Sequence, residues 1–270
     1  MSKLRGMTVA LTGAGSGIGR SLAVQLSQIG CGLALCDIDE EGLRETEALL
    51  VPGTRCTTQQ VDVADRDAVY RFAADAVAAH GTVDAIVNNA GVALAGAVEE
   101  LSDEGLDWIF RINFWGVVHG TRAFLPHLRT RPRAHVVNIS SIFGLVATPR
   151  MAAYNATKFA VRGFTEALRQ DLAGSSVIAT CVHPGGIATN IARSARVEGA
   201  KAARRGEFTT EFEKNFVTTA DQAAARIIRG MERGERRVLV GRDAHLADLV
   251  ARLLPTSYPW LVGRLVKGLD

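Results

Sequence analysis

Short apolar runs rich in β-branched residues alternate along this chain with helical stretches, and that alternation restricts the fold more than any other feature. The runs fall at residues 7–13, 32–37, 55–63, 83–91, 134–141 and 176–185, with a last one around Val238 in "RRVLVG". Between them, helical patterns occupy 17–29, 40–50, 65–81, 103–111, 114–129 and 152–172. Strands joined through helices of ~10–20 residues make right-handed βαβ units and a parallel sheet. The strands are nearly continuously apolar, as they are when helices cover both faces. The sequence therefore predicts an α/β fold: a doubly wound sheet of seven mainly parallel strands, helices on both faces, in one domain over residues 1–242. Residues 187–216 break the alternation. They are polar, rich in Ala and Arg, and follow the sixth strand, which suits a substrate lid.

The bulk properties narrow the class. With 270 residues and 47% hydrophobic content, a large core is easily supplied. A net charge of +3 gives no argument for a nucleic-acid partner. The arginine clusters in "KAARRGE" and "ERGERR" read as solvated surface. The N-terminus enters a strand at once, without the apolar run and small-residue cleavage site of a signal peptide. No window of ~18 apolar residues predicts a membrane span. Cys31, Cys36, Cys56 and Cys181 show no metal-ligand spacing and sit in or near apolar strands, as reduced core thiols do. Together these features predict a cytoplasmic protein without a bound metal.

"LTGAGSGIGRSLA" joins the first strand to the first helix, with glycines at 13, 15, 17 and 19 around Ser16 and Ile18. The strict G-x-G-x-x-G fingerprint fails, because Ile18 stands where its last glycine belongs. The spacing is T-G-x-x-x-G-x-G through Thr12, Gly13, Gly17 and Gly19. Its physical logic is the same: a tight turn, a backbone that approaches a pyrophosphate, and free N–H groups at a helix N-terminus. Asp37 ends the second strand. A carboxylate there accepts hydrogen bonds from ribose hydroxyls and repels a 2′-phosphate, which favours NAD over NADP. The plainer reading makes Asp37 a helix cap in "DIDEEG". Asp62 and Val63 in "VDV", and Asn89, Ala90 and Gly91 in "NNAG", close strands three and four, where a parallel sheet lines its ligand crevice. Each of these polar residues also suits a simple turn cap.

At this point the chain resembles the short-chain dehydrogenase/reductase family. The matches are "TGAGSGIG" (12–19), "NNAG" (88–91), Asn113 in "INFWG", "NISS" (138–141), "YNATK" (154–158) and "PGGIAT" (184–189), in the family's order over about residues 6–241. The resemblance implies a seven-stranded Rossmann-like sheet, a nicotinamide cofactor, and hydride transfer to or from a carbonyl carbon of a small-molecule alcohol or ketone. It implies a catalytic set of Asn113, Ser141, Tyr154 and Lys158, with Ser141 chosen over Ser140 by its spacing from the tyrosine. It places Pro184, Gly185, Ile187 and Thr189 at the nicotinamide end. Asn113 is expected to link Lys158 to solvent through water. Other functions of such a fold are an epimerase or dehydratase, or a catalytically silent dinucleotide sensor.

The chemistry of the tyrosine and lysine follows from their spacing. A free tyrosine titrates near ~10 and is a poor base at neutral pH. Residues four apart share a helical face, with Cβ atoms ~5–6 Å apart. Lys158 is thus expected to favour the Tyr154 phenolate and to reach a ribose hydroxyl, leaving Tyr154 as general acid/base and Ser141 to hold the substrate oxygen. Residues 92–102, 142–152 and 187–216 should wall the substrate pocket, and Phe143, Leu145, Val146, Met151 and Ile191 make it apolar. His183 fits either the cofactor side or a structural hydrogen bond. Residues 243–270 form a helical extension whose stripe Leu246, Leu249, Val250, Leu253 and Leu254 favours packing over the cleft or against another copy of the chain in a homodimer or homotetramer. Trp260, Leu261, Arg264, Leu265 and Lys267 follow it. A lipid surface is the rival partner of this extension.

Overall fold

The computed structural model describes residues 2–191, 193–199, 206, 210 and 217–259. Seven strands pair in one sheet: β1 (Thr8–Thr12), β2 (Gly32–Asp37), β3 (Cys56–Gln60), β4 (Ala85–Asn88), β5 (Ala134–Ile139), β6 (Val177–Pro184) and β7 (Arg237–Val240). Their spatial order is β7-β6-β5-β4-β1-β2-β3, and every pairing is parallel. The order reverses between β4 and β1, so the crevice at the strand C-termini opens there.

The helices are α1 (Gly17–Ile29), α2 (Glu40–Ala48), α3 (Arg66–His80), α4 (Asp103–Phe110), α5 (Gly116–Leu128), α6 (Ala152–Asp171), α7 (Ala220–Arg233) and α8 (Arg242–Leu253). The two-residue period of a strand sends alternate side chains to opposite faces. Along β1, Val9 and Leu11 join Leu22 and Leu26 of α1 and Ile227 of α7 in one core. Ala10 joins Phe72 of α3 and Phe124 of α5 in the other. Burying each large side chain contributes about 1.5–3 kcal/mol. Among the described residues no helix is long and apolar enough to cross a membrane.

Four local features differ from the sequence expectation. β3 stops at Gln60 rather than Val63, because Asp62 folds its carboxylate back to accept the Ala64 N–H at 2.9 Å and starts a turn. The two helical stretches over 103–129 are one run, α4 and α5 joined by a π-helical turn at Arg111–Trp115. Helix α7 was absent from the expected elements. Its signal is "TADQ": Thr219 accepts the Gln222 N–H at 3.2 Å, and the Gln222 side chain accepts the Thr219 N–H at 3.1 Å, a capping box. Finally, short parallel pairs, Leu94–Ala95 with Arg196–Val197 and Ile187–Ala188 with Thr218–Thr219, stand outside the main sheet.

Candidate active site

The turn from β1 into α1 is held by its neighbours. Asn89 donates its amide to the carbonyls of Thr12 (3.0 Å) and Gly13 (2.9 Å). Thr12 Oγ1 accepts the N–H groups of Asn89 and Ala90, both at 3.0 Å. Gly13 and Gly17 have φ of 67° and 51°, the left-handed region where glycine carries no steric penalty. A Cβ on Gly19 would overlap the Gly13 carbonyl oxygen. Gly15 donates its N–H to Asp37 Oδ2 at 2.8 Å, which fixes the carboxylate at the rim. Ser16 is the N-cap residue of α1 but makes no side-chain cap bond, whereas Asp39 and Asp65 cap α2 and α3. The N–H groups at the start of α1 are thus left for an anion.

At the other side of the crevice, Ser141, Tyr154 and Lys158 meet. Ser141 caps a 3-10 turn, Ile142–Gly144, by accepting the Phe143 N–H at 3.1 Å. Ser140 instead donates to the Lys158 carbonyl at 2.8 Å, a structural bond. Lys158 donates from Nζ to the Ile139 carbonyl at 3.2 Å, and that nitrogen lies 5.6 Å from the centre of the Tyr154 ring. Burial pushes the Tyr154 phenol up to about 12, against a smaller downward pull from its hydrogen bond with Ser141. Burial also lowers the Lys158 ammonium to about 8. The expected stabilised phenolate is therefore not the resting form in the protein alone. Desolvation outweighs the Ser141 hydrogen bond, and the phenol keeps its proton.

Asn113 sits in the π-helical turn, fully buried. Its Oδ1 accepts the Val92 N–H at 2.8 Å, and its Nδ2 donates to the Val92 carbonyl at 2.9 Å and to Thr157 at 3.2 Å. It clamps the chain after "NNAG". Its contact with Lys158 is indirect: a Cβ added to Gly91 would lie 3.2 Å from Asn113 Oδ1 and 3.3 Å from Lys158 Nζ. His183 is buried with Nδ1 3.1 Å from the Ser141 carbonyl oxygen, and burial lowers it to about 4. It is a neutral residue bonded to the backbone of Ser141.

A cavity of about 630 Å³ joins the two sides. Of the residues expected to bind cofactor, Gly13, Ser16, Gly17, Ile18, Asp37, Asp62, Val63, Asn89, Ala90, Gly91, Tyr154, Lys158, Pro184, Gly185, Ile187 and Thr189 line it. Gly15, Gly19 and Asn113 stand behind the wall and shape it by packing and hydrogen bonds. The glycine turn, the uncapped helix end and the rim carboxylate fit an adenine dinucleotide. Phe143, Val146, Met151 and Ile191 add apolar side chains to the cavity wall, while Leu145 is buried but is not among the lining residues.

Sequence reasoning missed that α8 supplies Asp243 and Ala247 to the same cavity. Leu246 and Val250, expected to pack over the cleft or against another copy of the chain, line it as well. The cavity thus draws on residues from both sides of the expected boundary at 242. Leu249, Leu253 and Leu254 remain exposed. Most of the expected lid after residue 199, and residues 260–270, lie outside the described residues.

Residues 7–199 match the family described as short chain dehydrogenase. A Mycobacterium tuberculosis protein named SadH is 46% identical over 267 residues, 97% of this chain and 96% of SadH. Oxidoreductase UcpA of Salmonella typhimurium is 36% identical over 195 residues, 72% of this chain and 74% of UcpA. A crystal structure of a short chain dehydrogenase/reductase from Burkholderia phymatum in complex with NAD is similar with a TM-score of 0.85 and 31% identity, covering 97% of each chain.

Proposed function

This chain belongs to the short-chain dehydrogenase family of nicotinamide-dependent oxidoreductases, and on that premise we propose that it moves a hydride between NAD and the carbonyl or alcohol carbon of a hydrophobic substrate, with Tyr154 moving the proton. The observation that carries the reading is the meeting of a buried phenol, a serine hydroxyl and a buried ammonium on the wall of a cavity that runs from an uncapped helix end to an apolar pocket.

Bound nicotinamide supplies the hydride donor or acceptor. In the reductive direction Ser141 donates a hydrogen bond to the substrate oxygen and fixes it. The Tyr154 phenol, which holds its proton at neutral pH, gives it to that oxygen as negative charge builds there. Lys158, still largely protonated at neutral pH with its value near 8, stabilises the phenolate left behind. In the oxidative direction the same groups act in reverse. The apolar walls exclude water and favour a hydrophobic alcohol or ketone.

NAD is favoured over NADP by Asp37 at the rim. Arg20 and Arg44, the arginines of the two helices that flank β2 in the chain, are already engaged: Arg20 pairs with Glu45 at 2.6 Å, and Arg44 with Glu40 at 3.1 Å and Glu41 at 2.5 Å. The NAD complex of the Burkholderia phymatum protein points the same way. Residues 1–242 act as the catalytic unit, and Asp243, Leu246, Ala247 and Val250 of the extension that follows complete its cavity wall. Homodimers or homotetramers in the cytoplasm are the assembly we expect, since Trp115 and Phe159 expose apolar surface.

The test is a panel of hydrophobic secondary alcohols and ketones followed by NADH absorbance. Tyr154→Phe should lower kcat by about a hundredfold or more and leave NADH affinity nearly unchanged. Retention of more than about a tenth of wild-type kcat would overturn the assignment, against that hundredfold floor for a lost general acid. Dinucleotide binding without turnover on any substrate would favour an epimerase, a dehydratase or a sensor instead.

A further inference from the structure

The Pro184–Gly186 turn carries the chain from β6 along the cavity wall to Ile187 and Thr189. Its backbone is tied on three sides. Gly185 donates its N–H to the Val240 carbonyl at 2.9 Å, and the Gly186 carbonyl accepts the N–H groups of Val217 and Thr218 at 3.1 and 3.2 Å. The remaining donor, the Gly186 N–H, goes to a side chain: Asp243 Oδ2, at 2.6 Å. We propose that Asp243, on the first turn of α8, is a positioning residue for dinucleotide binding, holding this turn in the conformation that presents Ile187 and Thr189 to the cofactor. The inference rests on the dinucleotide reading of the site.

Three observations support it. An acidic residue in the first turn of a helix is ordinarily stabilised by its own helix N-terminus. Asp243 instead reaches out of α8 to a backbone N–H fifty-seven residues earlier in the chain. Such a bond to an ionised acceptor is about twice as strong as a neutral one. Second, the space around the carboxylate is reserved: a Cβ on either Gly185 or Gly241 would overlap it. Neither Gly185 nor Gly186 has a positive φ, so a side chain at 185 is excluded by the carboxylate, without any demand from the backbone. Third, the far end of the segment touches the first glycine turn. A Cβ on Gly17 would lie 3.2 Å from Thr189 Cγ2. Displacement of the Pro184–Gly186 turn therefore reaches the wall along which the dinucleotide lies. Helix α8 lies beyond residues 7–199, which match the family, so the support comes from outside that segment.

The experiment compares Asp243→Ala with Asp243→Asn by NADH fluorescence titration, thermal melting and hydrogen exchange of the 184–189 segment in the cofactor-free protein. Asparagine keeps an oxygen acceptor for the Gly186 N–H, and alanine does not. Asp243→Ala should weaken NADH binding by about tenfold or more, the loss expected for a hydrogen bond to a charged group, and should speed exchange at 184–189. Asp243→Asn should restore both to within about threefold, since a neutral bond retains part of the interaction. A second cycle checks the packing: Gly185→Ala should be damaging in the wild-type background and nearly neutral in Asp243→Ala. Wild-type affinity in Asp243→Ala would overturn the proposal, as would equal damage in both variants or exchange unchanged at 184–189. Failure of the wild-type chain to bind NADH or NADPH would overturn the dinucleotide reading and this inference with it.

Discussion

Two glycine turns face each other across the cavity, and they are built on opposite plans. In the Gly13–Gly19 turn the supports lie close to the backbone. Asn89 donates to the Thr12 and Gly13 carbonyls, Thr46 donates to the Ala14 carbonyl at 2.9 Å, and Gly19 packs against the Gly13 carbonyl so closely that no side chain fits between them. In the Pro184–Gly186 turn the backbone angles are ordinary, and the glycine at 185 is demanded by one carboxylate arriving from α8. A turn excluded from change by backbone cannot relax. A turn excluded by a side chain relaxes when that side chain leaves. On the proposed dinucleotide reading, the first is a fixed cradle and the second an adjustable wall.

The largest effect should come from attacking that contrast directly. Gly19→Ala forces a methyl group into backbone. Overpacking of this kind costs about 1–3 kcal/mol or more, so NADH affinity should fall by up to about a hundredfold, with a lower melting temperature. Gly185→Ala meets a side chain that can swing aside, so affinity should fall by about tenfold, the low end of that overpacking range, and titration of the two variants side by side gives the ratio. A Gly185→Ala variant worse than Gly19→Ala would reverse the comparison.

A smaller effect separates what each turn reads. Asp37 is bonded to the first turn through Gly15, so Asp37→Ser should lower the preference for NAD over NADP by about tenfold, relieving a like-charge clash. Asp243→Asn should leave that preference unchanged. Equal affinity of the wild-type protein for both cofactors would remove Asp37 from this role.

The smallest effect is acid loosening, and it should be greater at the second turn than at the first, on top of the general loss from buried His135, which burial also lowers to about 4. His183 precedes Pro184 and is held neutral, with its value near 4 because of burial. Arg237 and Arg162 face it and lower it further, while its bond to the Ser141 carbonyl and Asp248 work the other way. An unfolded histidine titrates near ~6.5. Between pH ~6.5 and about 4 the unfolded chain therefore binds a proton that the folded chain does not, so stability falls as pH drops through that window. Protection from hydrogen exchange at 184–189, taken relative to the intrinsic amide rate at each pH, should fall between pH 7 and 5 more than protection at 13–19. An equal fall at both would mean that the loosening is global.

The two turns also differ in how far they could be read from sequence. Gly13, Gly17, Gly19 and Asp37 lie within one βαβ unit, and Tyr154 and Lys158 on one helical face, so local patterns mark them once the ordered set of motifs and its family resemblance give those patterns a meaning. Asp243 is joined to Gly186 only by the fold, and no local pattern marks it. Helix α7 was legible in principle, because "TADQ" followed by Ala223, Ala224, Ile227, Ile228 and Met231 gives a cap and an apolar stripe. Its polar and Arg-rich surroundings masked it. The net rise of the Tyr154 phenol was not legible either. Spacing brings the lysine near, but burial depends on what the rest of the chain packs over the ring.

The π-helical turn at Arg111–Trp115 has a consequence for how this protein tolerates change in length. A wider turn accommodates one residue more than the regular helix on either side, and such turns gather at functional sites. Each residue of an α-helix advances the chain by about 100° around the axis. Loss of one residue here would let α4 and α5 fuse into a more regular helix, turning Asn113 away from Val92 and Thr157. The shorter helix would be the better helix and the poorer clamp.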